Sequence, residues 1–179
     1  DCLKTGWLGT GPKVKQFEEK FCEHQNSQYA VGLNSCTAAM HLSLLALDIG
    51  TGDEVITTPL TFCATINSII HAGATPVLAD VDPVSMNIDP DKIRDKITKK
   101  TKCILPVHFA GRSCDMDLIT KLTADNNLFL VEDCAHAIET KYKDQSVGTF
   151  GDFGCFSFYV TKNVVTGEGG MIVTKSEQQ

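Results

Sequence analysis

Short apolar segments alternate along this chain with amphipathic segments, and this alternation constrains the fold more than any other feature. Segments such as TPVLADVD at 75–82, KCILPVHF at 102–109 and LFLVED at 128–133 predict buried strands, while CDMDLITKLTADNN at 114–127 has the periodicity of a helix. Apolar strands joined by amphipathic helices are typical of a sheet that is covered on both faces. The sequence therefore predicts an α/β fold, with a mostly parallel sheet and helices on both faces.

The other segments extend the same pattern over residues 1–179, which we interpret as one domain because no repeat or linker interrupts them. One helix is predicted to stop at Gly50, and another to begin at the capping residue Asp89 with Pro90 in its first position. The last two strands follow each other without a helix. The further predicted helices cover 12–24, 36–50, 62–74 and 89–97, and the further strands 29–35, 53–59, 155–160 and 170–175.

Composition argues against several classes of function. The formal net charge is −6 and no basic stripe interrupts it, so nucleic acid is not an expected partner. No apolar run is long enough to span a membrane, and the first residues, DCLKTGWLGTG, show no secretory leader. We therefore expect a soluble, cytoplasmic domain.

The eight cysteines predict neither a metal site nor a disulfide framework. No two of them are separated by two to four residues, whereas structural zinc sites usually have closely spaced pairs. Several lie in apolar runs, as Cys103 and Cys155 do, where cysteine behaves as a small hydrophobic residue. We expect reduced thiols and no bound metal.

Polar residues that follow the predicted strands are the candidate site, because ligands of such sheets bind at the carboxyl ends of the strands. Ser35 and Thr37 stand at the start of a helix, where free N–H groups and the helix dipole suit a phosphate. An ordinary helix cap explains the two hydroxyls as well, and from this motif alone it is the favoured interpretation.

Asp133 ends a buried strand, so its charge requires a partner. A pyridinium nitrogen, a metal, a ribose or a helix N–H would each serve, and a structural role is as good an explanation as a functional one. His136 would face the same side if the chain turned helical after Asp133. Taken alone, the histidine is better explained as structural.

Lys162 follows the aromatic segment CFSFYV and precedes a turn that contains Gly167, Gly169 and Gly170. An amine at the edge of an apolar sheet loses hydration, which favours the neutral form that attacks a carbonyl. Ser157, five residues earlier, adds a hydroxyl donor near the same edge. A purely structural lysine explains this motif equally well.

Taken together, the three features specify pyridoxal 5'-phosphate, which needs a phosphate cup, a carboxylate for its ring nitrogen and a lysine for its aldehyde. Several longer motifs follow one another along the chain, among them NSCTAAMHLSLLAL, GDEVITTPLTFCATINSI, GATPVLADVD, VEDCAHAI and FSFYVTKNVVTGEGG. In these motifs, and in their order and approximate spacing, the sequence resembles the DegT/DnrJ/EryC1/StrS family of pyridoxal-phosphate aminotransferases, which act on nucleotide-linked keto sugars. The resemblance runs nearly end to end.

The resemblance implies a role for each matching residue. Lys162 would bind the cofactor covalently and later move a proton, and Asp133 would keep the ring nitrogen protonated. Phe62 takes the place of the aromatic residue that stacks on the ring, and His136 matches a Gln-or-His position beside the cofactor. The segment from Trp7 to Pro12 would lie near the sugar-nucleotide pocket.

Ser35, Cys36 and Thr37 occupy the family's phosphate-binding turn, which Ser157 would complete. Cys36 departs from the family, which more often has Gly or Ala there, and this leaves the closeness of backbone approach open.

The resemblance further implies a fold-type I large domain, an amine donor (glutamate or glutamine), a nucleotide-linked keto sugar as acceptor, and a homodimer in the full-length form. Family members are about twice this length, a size at which a second domain is expected. We therefore expect that the chain is cut after MIVTKSEQQ, that the small carboxyl-terminal domain is absent, and that the activity of the 179 residues alone is open.

Three alternatives remain. A non-catalytic or inactive truncated relative would keep the fold without the reaction. A sugar dehydratase of the same fold is disfavoured, because those relatives have histidine where this chain has Lys162. A nucleotide-binding domain without pyridoxal phosphate is also disfavoured, because GLNSCT lacks the glycines of a dinucleotide-binding turn.

Overall fold

The structure, a computed structural model, describes residues 2–7 and 9–176. Leu8, which belongs to the segment between Trp7 and Pro12, and the last three residues of SEQQ lie outside the described residues. The elements in chain order are α1 (Cys2–Thr5), α2 (Pro12–Gln25), β1 (Tyr29–Leu33), α3 (Cys36–Ala46), β2 (Glu54–Thr57), α4 (Cys63–His71), β3 (Thr75–Leu78), α5 (Pro90–Lys96), β4 (Thr101–Leu105), a 3₁₀ turn (Phe109–Gly111), α6 (Met116–Asn126), β5 (Phe129–Asp133), β6 (Lys141–Tyr142), β7 (Gln145–Ser146), β8 (Phe153–Ser157) and β9 (Gly170–Thr174).

Seven strands form one sheet in the order β1-β9-β8-β5-β4-β2-β3. Strand β9 runs antiparallel to both of its neighbours, whereas the pairs from β8 through β3 are all parallel. The predicted mostly parallel sheet is therefore confirmed. Its antiparallel member is β9, which can follow β8 without a crossover helix because the two strands run in opposite directions.

Successive residues of each strand face opposite sides of the sheet, and the core is divided accordingly. Val131 and Ile172 pack in a cluster that includes side chains of α3 and α4. Leu130, next to Val131, packs on the other face with side chains of α5 and α6. Val173, next to Ile172, packs with Phe21 of α2. Both faces are covered by helices, which explains why the strands are uniformly apolar.

Several element boundaries differ from the predicted ones. Helix α3 ends at Ala46 rather than Gly50, because Asp48 adopts a left-handed backbone with φ of 55° and the chain turns there. Strand β8 ends at Ser157 rather than at residue 160. After Asp133 the chain makes turns and the short β6–β7 hairpin, so the conditional helix around His136 does not form. The predicted Asp89 cap is confirmed, since its side chain accepts from the Asp91 N–H.

No helix among residues 2–7 and 9–176 combines the length and the apolar character needed to cross a bilayer.

Gly170, at the start of β9, allows this strand to approach the first turn of α3 more closely than any other residue would. A Cβ at this position would lie 2.3 Å from the carbonyl carbon of Ser35 and 2.6 Å from the amide nitrogen of Cys36. Backbone atoms cannot rotate away as a flexible side chain can, so the glycine is required by the approach of the two segments.

We predict that Gly170→Ala lowers the free energy of unfolding by about 2 kcal/mol, because the added methyl group forces the β9 and α3 backbones apart. Gly9→Ala is the matched control, since a Cβ there meets no atom within 4 Å and the backbone has no positive φ. Urea unfolding of the two variants checks this. Equal stability of both variants and the parent chain would contradict the close approach.

Candidate functional site

A cavity of about 560 Å³ opens at the carboxyl ends of the parallel strands, a volume within the usual range of small-molecule sites. Its lining comes from the start of α3, the start of α4, the end of β5 and the β8–β9 connection. All eight residues that the sequence assigns to the cofactor line this one cavity, whereas the lining includes no described residue from the segment between Trp7 and Pro12. They are Ser35, Cys36, Thr37, Phe62, Asp133, His136, Ser157 and Lys162.

The turn from Ser35 to Thr37 begins α3 with a conventional cap. The Ser35 backbone is extended and its hydroxyl oxygen accepts from the Ala38 N–H at 3.1 Å. The capping interpretation of Ser35 is thus correct, but it leaves the site function open. The N–H groups of Cys36 and Thr37 belong to the first turn, where no intrahelical acceptor exists. Both residues line the cavity. An anion there would meet both these donors and the positive end of the helix.

Asp133 ends β5 with a side chain that is almost fully buried, at 4% relative exposure. Its Oδ2 accepts from the Thr65 hydroxyl at 2.8 Å, and its Oδ1 accepts from the Ala135 N–H at 3.0 Å. Burial raises the pKa of Asp133 above its usual range, while the hydrogen bonds from Ala135 and Thr65 oppose that rise. The cavity therefore contains a desolvated carboxylate that two donors from the chain help to keep charged.

Cys36 lies beside the same carboxylate, with its Sγ 4.0 Å from Asp133 Oδ1. Burial, and then the Asp133 charge, raise the pKa of the Cys36 thiol well above its usual range, so the thiol stays protonated and can donate weakly. Cys36 stands where the family more often has Gly or Ala. Its side chain faces the Asp133 carboxylate, while its backbone N–H remains in the first turn of α3.

Lys162 lies in the connection between β8 and β9, five residues beyond the end of β8. Two backbone hydrogen bonds close this loop. The Phe158 N–H donates to the Gly169 carbonyl oxygen, and the Phe158 carbonyl oxygen accepts from the Thr166 N–H. Gly167 takes a φ of +89°, which favours glycine. Gly167 therefore allows the chain to turn back toward β9, and the closed loop places Lys162 at the cavity.

His136 and Lys162 line the first cavity and also a second, more polar cavity of about 620 Å³. Partial burial, followed by the nearby charge of Lys162, lowers the pKa of His136. At neutral pH the imidazole is therefore mostly uncharged and can either donate or accept a hydrogen bond. Lys162 therefore borders both cavities, together with a largely neutral histidine.

Phe62 and Ser157 complete the predicted set in different ways. Phe62 occupies the capping position of α4 and is 76% exposed, so its ring is free at the cavity wall. Ser157 ends β8, and its oxygen has a long contact of 3.4 Å with the Tyr159 N–H. Neither side chain is held by the core, which is consistent with groups that face a ligand.

Thr61 and Thr65 also line the cavity, although the sequence pattern did not indicate either residue. Their hydroxyl oxygens are 2.7 Å apart, and Thr65 in turn contacts Asp133. Their spacing of four residues is the sequence feature that could have indicated a pair, since residues four apart in a helix share one side. Helix α4 begins between the two threonines, at Cys63. Only the fold shows that this side of α4 faces the end of β5.

Fully buried in β5, one residue before Asp133, Glu132 anchors the chain between β7 and β8. Its oxygens accept from the N–H groups of Gly148, Phe150 and Gly151 at 2.7–2.9 Å, and Oε2 lies 3.1 Å from His108 Nε2. Glu132, His108 and Cys134 together have the side-chain types and spacing of a metal site. Because the carboxylate already has four hydrogen-bond partners, we interpret the group as a structural network.

We predict that Glu132→Gln lowers the free energy of unfolding by about 3 kcal/mol, because in either orientation its amide N–H₂ faces a backbone N–H donor. The exposed Glu19, replaced by Gln in the same way, is the control and should change stability by less than about 0.5 kcal/mol. Denaturant unfolding measures both. Equal stability of the two variants would mean that the network does not anchor this segment.

Comparison with known proteins places the chain among aminotransferases. The model of the DegT/DnrJ/EryC1/StrS aminotransferase family matches residues 1–179. The spore coat polysaccharide biosynthesis protein SpsC of Bacillus subtilis (strain 168) is 53% identical over 99% of this chain and 46% of its own length. The GDP-perosamine synthase of Escherichia coli O157:H7 is 46% identical over 99% of this chain and 49% of its own length.

A solved structure from Streptococcus pneumoniae, the PLP-form of Spr1654, superimposes with a TM-score of 0.95 at 38% identity. It covers 98% of this chain, which corresponds to 49% of that structure. The chain therefore spans about half the length of the relatives it matches.

Proposed function

The chain belongs to the DegT/DnrJ/EryC1/StrS aminotransferase family, and from that premise we propose that its cavity binds pyridoxal phosphate and serves amino transfer to a nucleotide-linked keto sugar. One observation carries the proposal. A helix start with free N–H groups, a buried carboxylate and a lysine come from distant parts of the chain and line the same cavity. These are the three kinds of group that this cofactor requires.

The residues present fit the cofactor. Asp133 is buried and ionisable, and Thr65 and Ala135 use one lone pair on each of its oxygens. A carboxylate has about four acceptor positions, so it can also accept from the N–H of a protonated ring nitrogen. The cavity volume and the exposed Phe62 ring suit a flat aromatic group.

Lys162 is the group that would bind the cofactor aldehyde, through its Nζ. When bound, pyridoxal phosphate supplies an electron sink that stabilises negative charge on the carbon next to the transferred amine. The work of Lys162 is to hold a proton on Nζ and to pass it on, as a general acid and base. The neutral His136 can hydrogen-bond beside it without adding a second positive charge.

The start of α3 would bind the phosphate. The N–H groups of Cys36 and Thr37 donate toward it, the helix dipole favours its negative charge, and the hydroxyls of Thr37 and Ser157 add donors. Phe62 would stack on the ring and limit its contact with water.

The substrates and the assembly belong to the same proposal. The amine donor would be glutamate or glutamine, and the acceptor a nucleotide-activated keto sugar used for polysaccharide precursors, by analogy with the names of SpsC and the GDP-perosamine synthase. A homodimer in the full-length protein would cover exposed apolar side chains such as Leu42 and Leu45 of α3 and Ile70 of α4. A cytoplasmic location accords with these soluble substrates.

We predict that the 179-residue chain, mixed with pyridoxal phosphate and reduced with borohydride, carries the label on Lys162. Visible absorbance of the lysine-bound cofactor should appear before reduction, and peptide mass mapping then locates the label. Lys162→Ala should abolish both signals, because no other lysine lines the cavity among the described residues.

Lys99→Ala is the control for this experiment, since Lys99 is exposed and lies outside the cavity. It should keep the absorbance and the label. Label scattered over surface lysines, at the same level in the parent chain and in Lys162→Ala, would contradict the assignment.

A further inference from the structure

We propose that Thr65, supported by Thr61, is a positioning residue that keeps the Asp133 carboxylate ionised and oriented toward the cavity. The inference rests on the proposed function in one respect, because Asp133 is the group that would hold the cofactor ring. The hydrogen bonds themselves exist without the cofactor, so they can be tested separately.

The direction of the hydrogen bonds follows from counting protons. Thr65 is 1% exposed, and its Oγ1 lies 2.8 Å from Asp133 Oδ2 and 2.7 Å from Thr61 Oγ1. A hydroxyl has one proton, and Thr65 donates it to the carboxylate. Thr61 must therefore donate to Thr65, and the two hydroxyls form a chain from the cavity wall to Asp133. Each bond polarises the next, so Thr61 strengthens the donation from Thr65.

This donor is needed because Asp133 lies in a strongly desolvated position. Burial raises the pKa of Asp133, which favours the neutral acid. A neutral acid would carry a proton of its own and could not accept in full from a protonated ring nitrogen. Hydrogen bonds to a charged group are stronger than those between neutral groups, so one buried hydroxyl can decide which form prevails.

The other side chains around Asp133 contribute less than Thr65 to its charge state. Burial raises the pKa values of three neighbouring thiols, those of Cys36, Cys134 and Cys155, so these stay neutral. The Cys36 thiol donates to Asp133 only across 4.0 Å. His136 is largely neutral, because burial and Lys162 lower its pKa. His108, whose ring nitrogens contact Glu132 and the Cys114 N–H, lowers the pKa of Asp133 through its charge, but by less than the Thr65 hydrogen bond does.

The remaining strong donor to Asp133 is the Ala135 N–H, at 3.0 Å. This is a backbone group that only proline at position 135 would remove, and proline would also alter the backbone of the turn. Thr65 is therefore the point at which a side-chain change can alter the charge state of Asp133 while the loop from 134 to 140 is left intact.

The sign of the pH effect follows from these contacts. The folded-state pKa of Asp133 is raised above its unfolded value, so the ionised side chain costs stability once the pH exceeds the unfolded pKa, and the cost is complete above the folded pKa. Thr65→Val removes a bond to the charged form and raises the folded pKa further. Its extra instability should thus be largest at neutral pH and should shrink as the pH falls toward the unfolded pKa.

The direct test is a titration of Asp133 by NMR, in cofactor-free chain labelled with ¹³C in the aspartate carboxyl groups. Thr65→Val should shift the Asp133 titration to higher pH, Thr61→Val should shift it less, and Thr65→Ser should restore it. Thr123→Val is the control for loss of a buried threonine hydroxyl, since Thr123 is 8% exposed and donates to Thr120 O within α6. It should leave the Asp133 titration unchanged.

A second measurement is the affinity for pyridoxal phosphate, followed by absorbance at pH 8. Thr65→Val should weaken binding by about tenfold, the effect of one hydrogen bond to a charged group, and Thr65→Ser should bind as the parent does. If no variant binds the cofactor, including the parent chain, the proposed function fails, but the NMR titration still decides the role of Thr65.

An unchanged Asp133 titration in Thr65→Val would overturn the inference, whatever happens to stability. If Thr65→Val does not fold, Thr61→Val decides instead, because Thr61 is only partly buried and its loss leaves the core intact. No shift of the Asp133 titration in that variant would equally show that the hydroxyl chain does not act on the carboxylate.

Discussion

The buried carboxylate of Asp133 is the interaction on which the rest of the site depends. A charge at the carboxyl end of β5, with 4% relative exposure, is stable only where donors surround it. The Thr65 hydroxyl supplies one donor from α4 and the Ala135 N–H supplies another from the turn that follows. The placement of α4 against the end of β5 is therefore a condition of the site as well as of the core.

Sheet topology brings the phosphate-type turn and the lysine to the same place. Strand β9 runs antiparallel between β1 and β8, so its first residue, Gly170, lies against the turn that begins α3. The chain that reaches Gly170 has just passed Lys162. One close approach of backbone to backbone thus links the lysine loop to the helix start, and a side chain at Gly170 would separate them.

Much of this arrangement could be predicted from the sequence, because it depends on patterns that are local in the chain. Apolar periodicity identified the strands, and the rule that ligands bind at strand ends selected Asp133 and Lys162. The role of Thr65 could not be derived in this way, since it depends on which side of α4 meets β5. The anchoring of Gly148 and its neighbours by Glu132 is likewise a tertiary contact between distant residues. The turns and the β6–β7 hairpin after Asp133 could not be predicted either, because segments fixed by tertiary contacts show no apolar periodicity.

The most direct test of the account is a crystal structure of this chain with pyridoxal phosphate. The account predicts continuous density from Lys162 Nζ to the cofactor, the ring nitrogen within hydrogen-bonding distance of Asp133, and the phosphate at the N–H groups of Cys36 and Thr37. A cofactor bound elsewhere, or bound in this cavity with its phosphate away from the start of α3, would contradict it.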